Sequence, residues 1–212
     1  MDNDEKLSWK DRRDLIIEAG IGSIPTVGGA LQTLYFGAKN EKRFKRVERF
    51  YEEISIEIGS MKEKLPVIHE TENADEAISI LESINDEVEK ASSQSKIDNY
   101  KKAFKNVLFR FNNDSFDEEK YFIRLLPDLT ELELNILFSS NKNEHKKVVD
   151  GDFYKKDKSN INIVTGNINR LSDFGLLDLV FGTLLSGGQG AYIDQSFAVS
   201  DLGSKFVSFI FE

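Results

Sequence analysis

Between residues 44 and 111 the large apolar side chains recur at alternating steps of three and four. One series runs Phe44, Val47, Tyr51, Ile54, Ile58, Met61, Leu65, and Pro66 ends it. A second runs Ala74, Ala77, Leu81, Ile84, Val88, Ala91, and a third runs Ile97, Tyr100, Phe104, Val107, Phe111. Steps of three and four place every member on one side of an α-helix, whereas a strand needs a step of two. Asn73 with Glu76 adds a capping-box signature at the start of the second helix. Ser92, Ser93 and Ser95 separate the second helix from the third, and Asn112, Asn113 and Asp114 close the third. No helix with one apolar seam buries it alone, and the connections are short. The expected arrangement is an antiparallel helical bundle.

The segment before these helices is of another kind. Leu15, Ile16 and Ala19 give residues 8–20 a short apolar stripe, which Gly20, Gly22 and Pro25 break. Residues 19–38, AGIGSIPTVGGALQTLYFGA, carry no charge. Twenty residues match the span of a bilayer core, but five glycines, one proline and four Ser, Thr or Gln make the stretch weakly apolar. It is expected to form a helical hairpin or turn-helix unit with Leu31, Leu34 and Phe36 turned inward. The run EKRFKRVER follows, with Arg43 and Arg46 among five cations. Basic residues beside an apolar stretch suit a membrane surface. They equally suit the solvated side of a helix whose Phe44 and Val47 join the seam. Leu31, Leu34, Phe36, Arg43 and Arg46 are therefore the candidate contacts for a partner protein or, peripherally, a membrane.

Beyond the three seams, Ser115 with Glu118 opens a fourth helix expected to bury Tyr121, Phe122, Leu125 and Leu126, and Pro127 interrupts it. Thr130 with Glu133 opens another, carrying Leu132, Ile136 and Leu137. Residues 140–160 form a polar link with six lysines against four acids, expected to be mobile, with room for a short helix. Ile161, Val164, Ile168 and Leu171 restore a helical stripe, and Gly175 sits where a helix-ending glycine belongs. Two β-prone runs around SGGQG then read as a hairpin. Ser200 caps a last helix with Leu202, Phe206, Val207 and Ile210. The expected fold is mainly α in two parts. Residues 1–127 form a helical bundle with a Gly/Pro-containing N-terminal hairpin, and residues 128–212 form a winged-helix-like domain with a β-hairpin wing.

Little in the chain suits catalysis. There is no cysteine, so a thiol nucleophile, a disulfide scaffold and Cys-ligated zinc are excluded. The two histidines, His69 and His145, lie far apart in a connection and a lysine-rich link. Gly28-Gly29 and Gly187-Gly188 lack the spacing of a phosphate-binding loop. Adjacent acids such as Glu52-Glu53 point apart on a helix and read as solvated charge. No catalytic, cofactor or metal residue is assigned, no cofactor is expected, and the chain is read as a non-enzyme. A net charge of −9 opposes general binding to phosphate backbones. The first residues, MDNDEKLSWK, carry acids where an export signal carries bases, so a cytoplasmic location is expected.

Residues 129–212 resemble a winged helix-turn-helix domain. The resemblance rests on the order helix, polar link, helix ending RLSDFGLL, hairpin, then VSDLGSKFVSFI. Leu171, Gly175 and Leu176 match the Leu-x-x-x-Gly-Leu close of a recognition helix, and Ser200 and Gly203 match the Ser-x-x-Gly start of the helix after the wing. The resemblance implies that Asn167, Asn169 and Arg170 could face base edges. A charge balance of −3 over this part opposes that use and favours contact with protein. The whole chain also resembles a widespread group of uncharacterised bacterial helical proteins, through IPTVGGAL, KKAFKNVL and YFIRLLPDLTELELNIL. Some proteins of similar layout look like those of abortive infection or phage defence. The resemblance implies a bacterial interaction protein, a component of a phage-defence or prophage module, whose partner is another protein. Self-association stays open. The alternatives are a winged-helix DNA-binding transcriptional regulator and a membrane-perturbing effector acting through residues 19–38.

Overall fold

A computed structural model describes residues 41–60, 74–110, 115–141, 145–147, 161–187 and 190–211. Among the described residues the fold is mainly α, with seven α-helices and one long antiparallel hairpin near the C-terminus. The chain divides into two compact units, Met1–Arg124 and Leu125–Glu212. The division falls slightly before Pro127. Residues 19–38, with Leu31, Leu34 and Phe36, lie outside the described residues. So do residues 61–65, Pro66, Asn73 and residues 111–114.

In the first unit, α1 (Glu41–Ser60), α2 (Ala74–Lys90) and α3 (Gln94–Phe109) pack against one another. Twelve members of the seams face inward. Val47, Tyr51, Ile54 and Ile58 of α1, Ala77, Leu81, Ile84 and Val88 of α2, and Ile97, Tyr100, Phe104 and Val107 of α3 are all buried. The buried face is wider than the seam, since Phe50, Ile78, Ile80, Ala103 and Leu108 join it. Each helix therefore meets more than one neighbour, and its apolar stripe broadens accordingly. Ala91, the last member of the second seam, is only half-buried because α2 has already ended at Lys90. Ser93, not a longer serine link, caps α3: its hydroxyl accepts from the Lys96 N–H at 3.3 Å.

Polar pairs fix how α1, α2 and α3 lie. Within the apolar seam the Tyr51 hydroxyl donates to Asn85 Oδ1 at 2.9 Å, and both residues are buried. Arg43, early in α1, reaches Glu89, late in α2, at 3.3 Å, so these two helices run antiparallel. Lys101 of α3 bonds Glu53 of α1 at 2.7 Å and Asp98 at 2.9 Å, and Lys105 pairs with Glu57 one turn further along both helices.

The hydrogen bond from Lys101 is the largest influence on Glu53 and holds its carboxyl below the usual range, with Arg49 adding to it. Burial disfavours the charge on Lys101, but the bonds from Glu53 and Asp98 outweigh it and raise the ammonium above its usual value. A lowered carboxyl contributes stability that is present above its unfolded pKa and lost as pH falls through the folded value. A raised ammonium contributes stability that is lost only at strongly alkaline pH. The first unit should therefore lose stability in acid, below the ordinary Glu53 value of 4.5, and hold it from there past neutrality. Melting curves across that range should show a shallower acid decline for Lys101→Met; an identical decline would remove the pair from the account.

The fourth helix, α4 (Asp117–Leu125), begins two residues after Ser115, whose hydroxyl accepts from the Asp117 N–H at 3.3 Å. Phe116, Glu119, Phe122, Ile123 and Leu126 are buried around it. Tyr121 lies on the opposite side of the helix and is 39% exposed, against expectation. At 100° per residue it falls away from the face that Phe122, Ile123 and Leu126 define. Pro127 stops the helix, and Leu126–Asp128 makes one 3-10 turn.

In the second unit, α5 (Glu131–Ser140) starts with the expected capping box: Thr130 accepts from the Glu133 N–H at 3.2 Å, and the Thr130 N–H donates to Glu133 at 2.7 Å. Leu134, Ile136 and Leu137 are buried, while Leu132 is half-buried. The polar link contributes a strand that its composition hid. The two-residue β1 (Lys146–Lys147) pairs with Phe197 and Ser196. Next, α6 (Ile161–Asp173) ends in a Schellman motif: Leu176 N–H donates to Leu171 O at 2.9 Å, Gly175 N–H to Ser172 O at 2.8 Å, and Gly175 takes φ +72°. Strands β2 (Leu177–Gly187) and β3 (Gly190–Val199) form the hairpin, in the sheet order β1-β3-β2. The register slips between Phe181 and Leu184, where β2 carries one extra residue. Finally, α7 (Asp201–Phe211) is capped by Ser200, which accepts from the Gly203 N–H at 2.9 Å.

Candidate functional site

The residues that could read a ligand in the second unit lie on α6. Its outward positions include Asn162, Ile163, Gly166 and Asn169, and Arg170 is its one cation. That cation is committed inside the unit. One Arg170 nitrogen, Nη1, donates to both Glu133 oxygens, at 2.9 and 3.0 Å, and Nη2 donates to the Asp128 carbonyl at 3.0 Å. Its guanidinium also lies over the Phe174 ring, 5.1 Å from the centroid. Glu133 is fully buried and at the same time caps α5 through Thr130. Asn167 is drawn into the same cluster. Its Nδ2 donates to Ile163 O at 2.7 Å, and its Oδ1 accepts from the Thr130 hydroxyl at 3.3 Å. Of the three expected base-reading residues, Arg170 and Asn167 tie α6 to the start of α5, and Asn169 faces outward.

This clamp was half legible. The Thr130–Glu133 capping box marks Glu133 in the sequence, but nothing local says that its carboxylate is buried or that Arg170 answers it. An acid at zero exposure needs a cation or several donors, because an isolated buried charge is very costly. Removing the cation leaves Glu133 with the cap alone. Arg170→Ala should lower the stability of this unit by about 2 kcal/mol, less than for a fully buried pair because water reaches the guanidinium. Arg170→Lys should recover only part of that, since an ammonium cannot hold Glu133 and the Asp128 carbonyl in one plane. A thermal melt unchanged by Arg170→Ala would show that the clamp carries no weight.

Among the described residues, the surface of this unit carries large apolar side chains. Phe138 is 59% exposed, beside Phe211 at a ring distance of 5.0 Å, and Ile163 on α6 is 56% exposed. The hairpin sequence from Leu177 to Val199 contains Asp178 and Asp194 and no lysine or arginine.

In the first unit, Arg43 pairs with Glu89, and Arg46 donates to the Glu89 carbonyl in the last turn of α2, where a cation complements the negative end of the helix. The two candidate contact residues that are described thus sit together at one end of α1 and α2, away from the seam. Among the described residues no helix is long and apolar enough to cross a membrane, and no group of three His, Asp or Glu side chains is placed to hold a metal ion. Neither a family model nor a curated protein nor a solved structure matches the chain.

Proposed function

We propose that the chain is a non-enzymatic bacterial interaction protein, with a helical bundle followed by a winged-helix-like unit that contacts protein. The observation that carries this reading is the Arg170 clamp. The one cation on the helix that would enter a DNA groove is bound to a buried carboxylate and a carbonyl. The winged-helix assignment is supported by the order α5, β1, α6, β2, β3 and by the central place of β3 in the sheet. Contact with protein is supported by exposed Phe138 and Ile163 and by a hairpin without cations, since phosphate backbones are held by Lys and Arg. The antiparallel bundle is supported by the pairing of Arg43 with Glu89 and of Tyr51 with Asn85. A place in a phage-defence or prophage module is the role that the layout suggests.

The test separates protein from DNA. Titration against a random-sequence duplex pool at about 0.15 M salt should give no sequence-selective binding. Capture of the tagged chain from its host should retain its partner after nuclease treatment. Sequence-selective, steeply salt-dependent binding, abolished by a well-folded Asn169→Ala variant, would instead establish the DNA-binding regulator. Loss of every captured protein on nuclease treatment would point the same way.

A further inference from the structure

The first unit carries a cleft of about 430 Å³, and Arg46, one of the candidate contact residues, is on its wall. It opens where the basic side of α1 meets the turn between α2 and α3. Lys45, Arg46 and Arg49 line it from α1, and Ser92 and Gln94 line it from the turn. Phe50 and Ile97 form an apolar floor. We propose that this cleft binds a phosphate monoester carrying a small apolar group.

Charge is the first argument. The chain is strongly acidic, yet three cations and one acid, Glu53, line this cleft. Glu53 is held by Lys101 at 2.7 Å, and Arg49 reaches the same carboxylate at 2.7 Å, so one of the three cations is shared with the acid and the lining keeps a net positive charge. Arg46 is half-buried and oriented by the Glu89 carbonyl, which fixes a guanidinium at the wall without cancelling its charge. Three cations on two successive turns of one helix favour a dianion over a carboxylate, because a phosphate monoester offers three acceptor oxygens and close to two charges.

The opposite wall joins two helix ends: Arg46 already answers the carbonyl end of α2, and the start of α3 faces the cleft as well. The first turn of α3 contains no acid, and Gln94 begins the helix there, so its amide end adds a partial positive charge. The floor sets the rest of the ligand. A site with apolar side chains below and a few convergent cations at the rim retains a molecule with one charged end and one apolar end, and the volume lies within the range of small-molecule sites. The same chemistry occurs in a soluble aromatic phosphate and in the monoester headgroup of phosphatidic acid.

Phenyl phosphate is the probe for the soluble source, followed by its 31P resonance and by calorimetry on the full chain. Vesicles of phosphatidylcholine with and without phosphatidic acid are the probe for the lipid source. Phenyl phosphate should bind more tightly than inorganic phosphate. Lys45→Gln with Arg49→Gln should weaken it about tenfold or more, while Arg124→Gln outside the cleft should not. Ser92→Trp fills the cleft without altering charge and should also abolish binding, which guards against a folding effect of the double variant. Flotation with phosphatidic acid vesicles that phenyl phosphate displaces and the double variant loses would assign the lipid source; binding of phenyl phosphate without flotation would assign the soluble one. The proposal is overturned if phenyl phosphate fails to bind at millimolar concentration, if the double variant binds it equally well, or if vesicle binding persists in that variant.

Discussion

Phe104→Ala should lower the melting temperature of the first unit more than any single truncation on its surface. Phe104 has no exposed area, and its ring meets Phe50 at 5.6 Å and Tyr51 at 5.5 Å, both edge to face. These three rings join α1 to α3, so the truncation removes apolar burial, leaves a cavity and breaks two aromatic contacts together. A Phe truncated in a closed core costs about 3–5 kcal/mol. For a chain of this length that corresponds to roughly 10 °C. Phe104→Leu, which keeps most of the volume, should cost about 1.5 kcal/mol or less. Calorimetric melts of the two variants would check the ratio. Equal and small shifts would mean that the seam is not packed around this ring.

The second unit should be as sensitive at a residue with no side chain. Gly203 lies in the first turn of α7, and a Cβ added there would stand 2.1 Å from the Leu176 carbonyl oxygen and 2.9 Å from Val199 Cγ1. Neither neighbour can retreat freely. The Leu176 N–H closes the Schellman motif, and its carbonyl accepts from the Ser200 N–H at 3.1 Å. The Ser200 hydroxyl in turn donates to Gly175 O at 2.6 Å and accepts from Gly203 itself. Gly203→Ala should therefore cost about 3 kcal/mol or more, at the upper end of what overpacking does. Gly166, in the middle of α6, gives the contrast. A Cβ there would meet nothing within 4 Å, so Gly166→Ala should stabilise the helix by about 0.5–1 kcal/mol. The two glycine substitutions should move the melting temperature in opposite directions, and the same sign for both would refute the close approach at Gly203.

The difference between these glycines is invisible in the sequence, where both sit within helical stretches. What local pattern does carry is periodicity and punctuation. The seams through Tyr51, Leu81 and Phe104, the stop at Gly175 and the caps at Thr130 and Ser200 follow from spacing and backbone chemistry over four to seven residues, and the structure has them. Features set by a distant partner were not legible. Lys146 and Lys147 form a strand only because Ser196 and Phe197 lie beside them. Tyr121 is as apolar as its neighbour Phe122 and yet lies outside, because the buried face of α4 is decided by what packs on it. Distant partners also decide what the candidate site residues touch. Arg170 on a helix resembling a recognition helix invites a base-reading role, and only the buried carboxylate of Glu133, far away in the chain, assigns it to the clamp instead.

The Tyr51–Asn85 hydrogen bond bears on how the chain avoids other folds. A seam that repeats every seven residues is nearly unchanged when one helix slides along its neighbour by seven, so hydrophobic burial alone barely separates the correct alignment from its shifted copies. Such a slide would set Asn85 opposite Phe44 or Ile58 in place of Tyr51, with its amide against hydrocarbon. An unanswered amide in a core costs about 1–3 kcal/mol. One polar pair inside an otherwise oily interface thus makes the shifted alignments unequal to the native one, and the gap it opens against those competitors exceeds anything it adds to the native state.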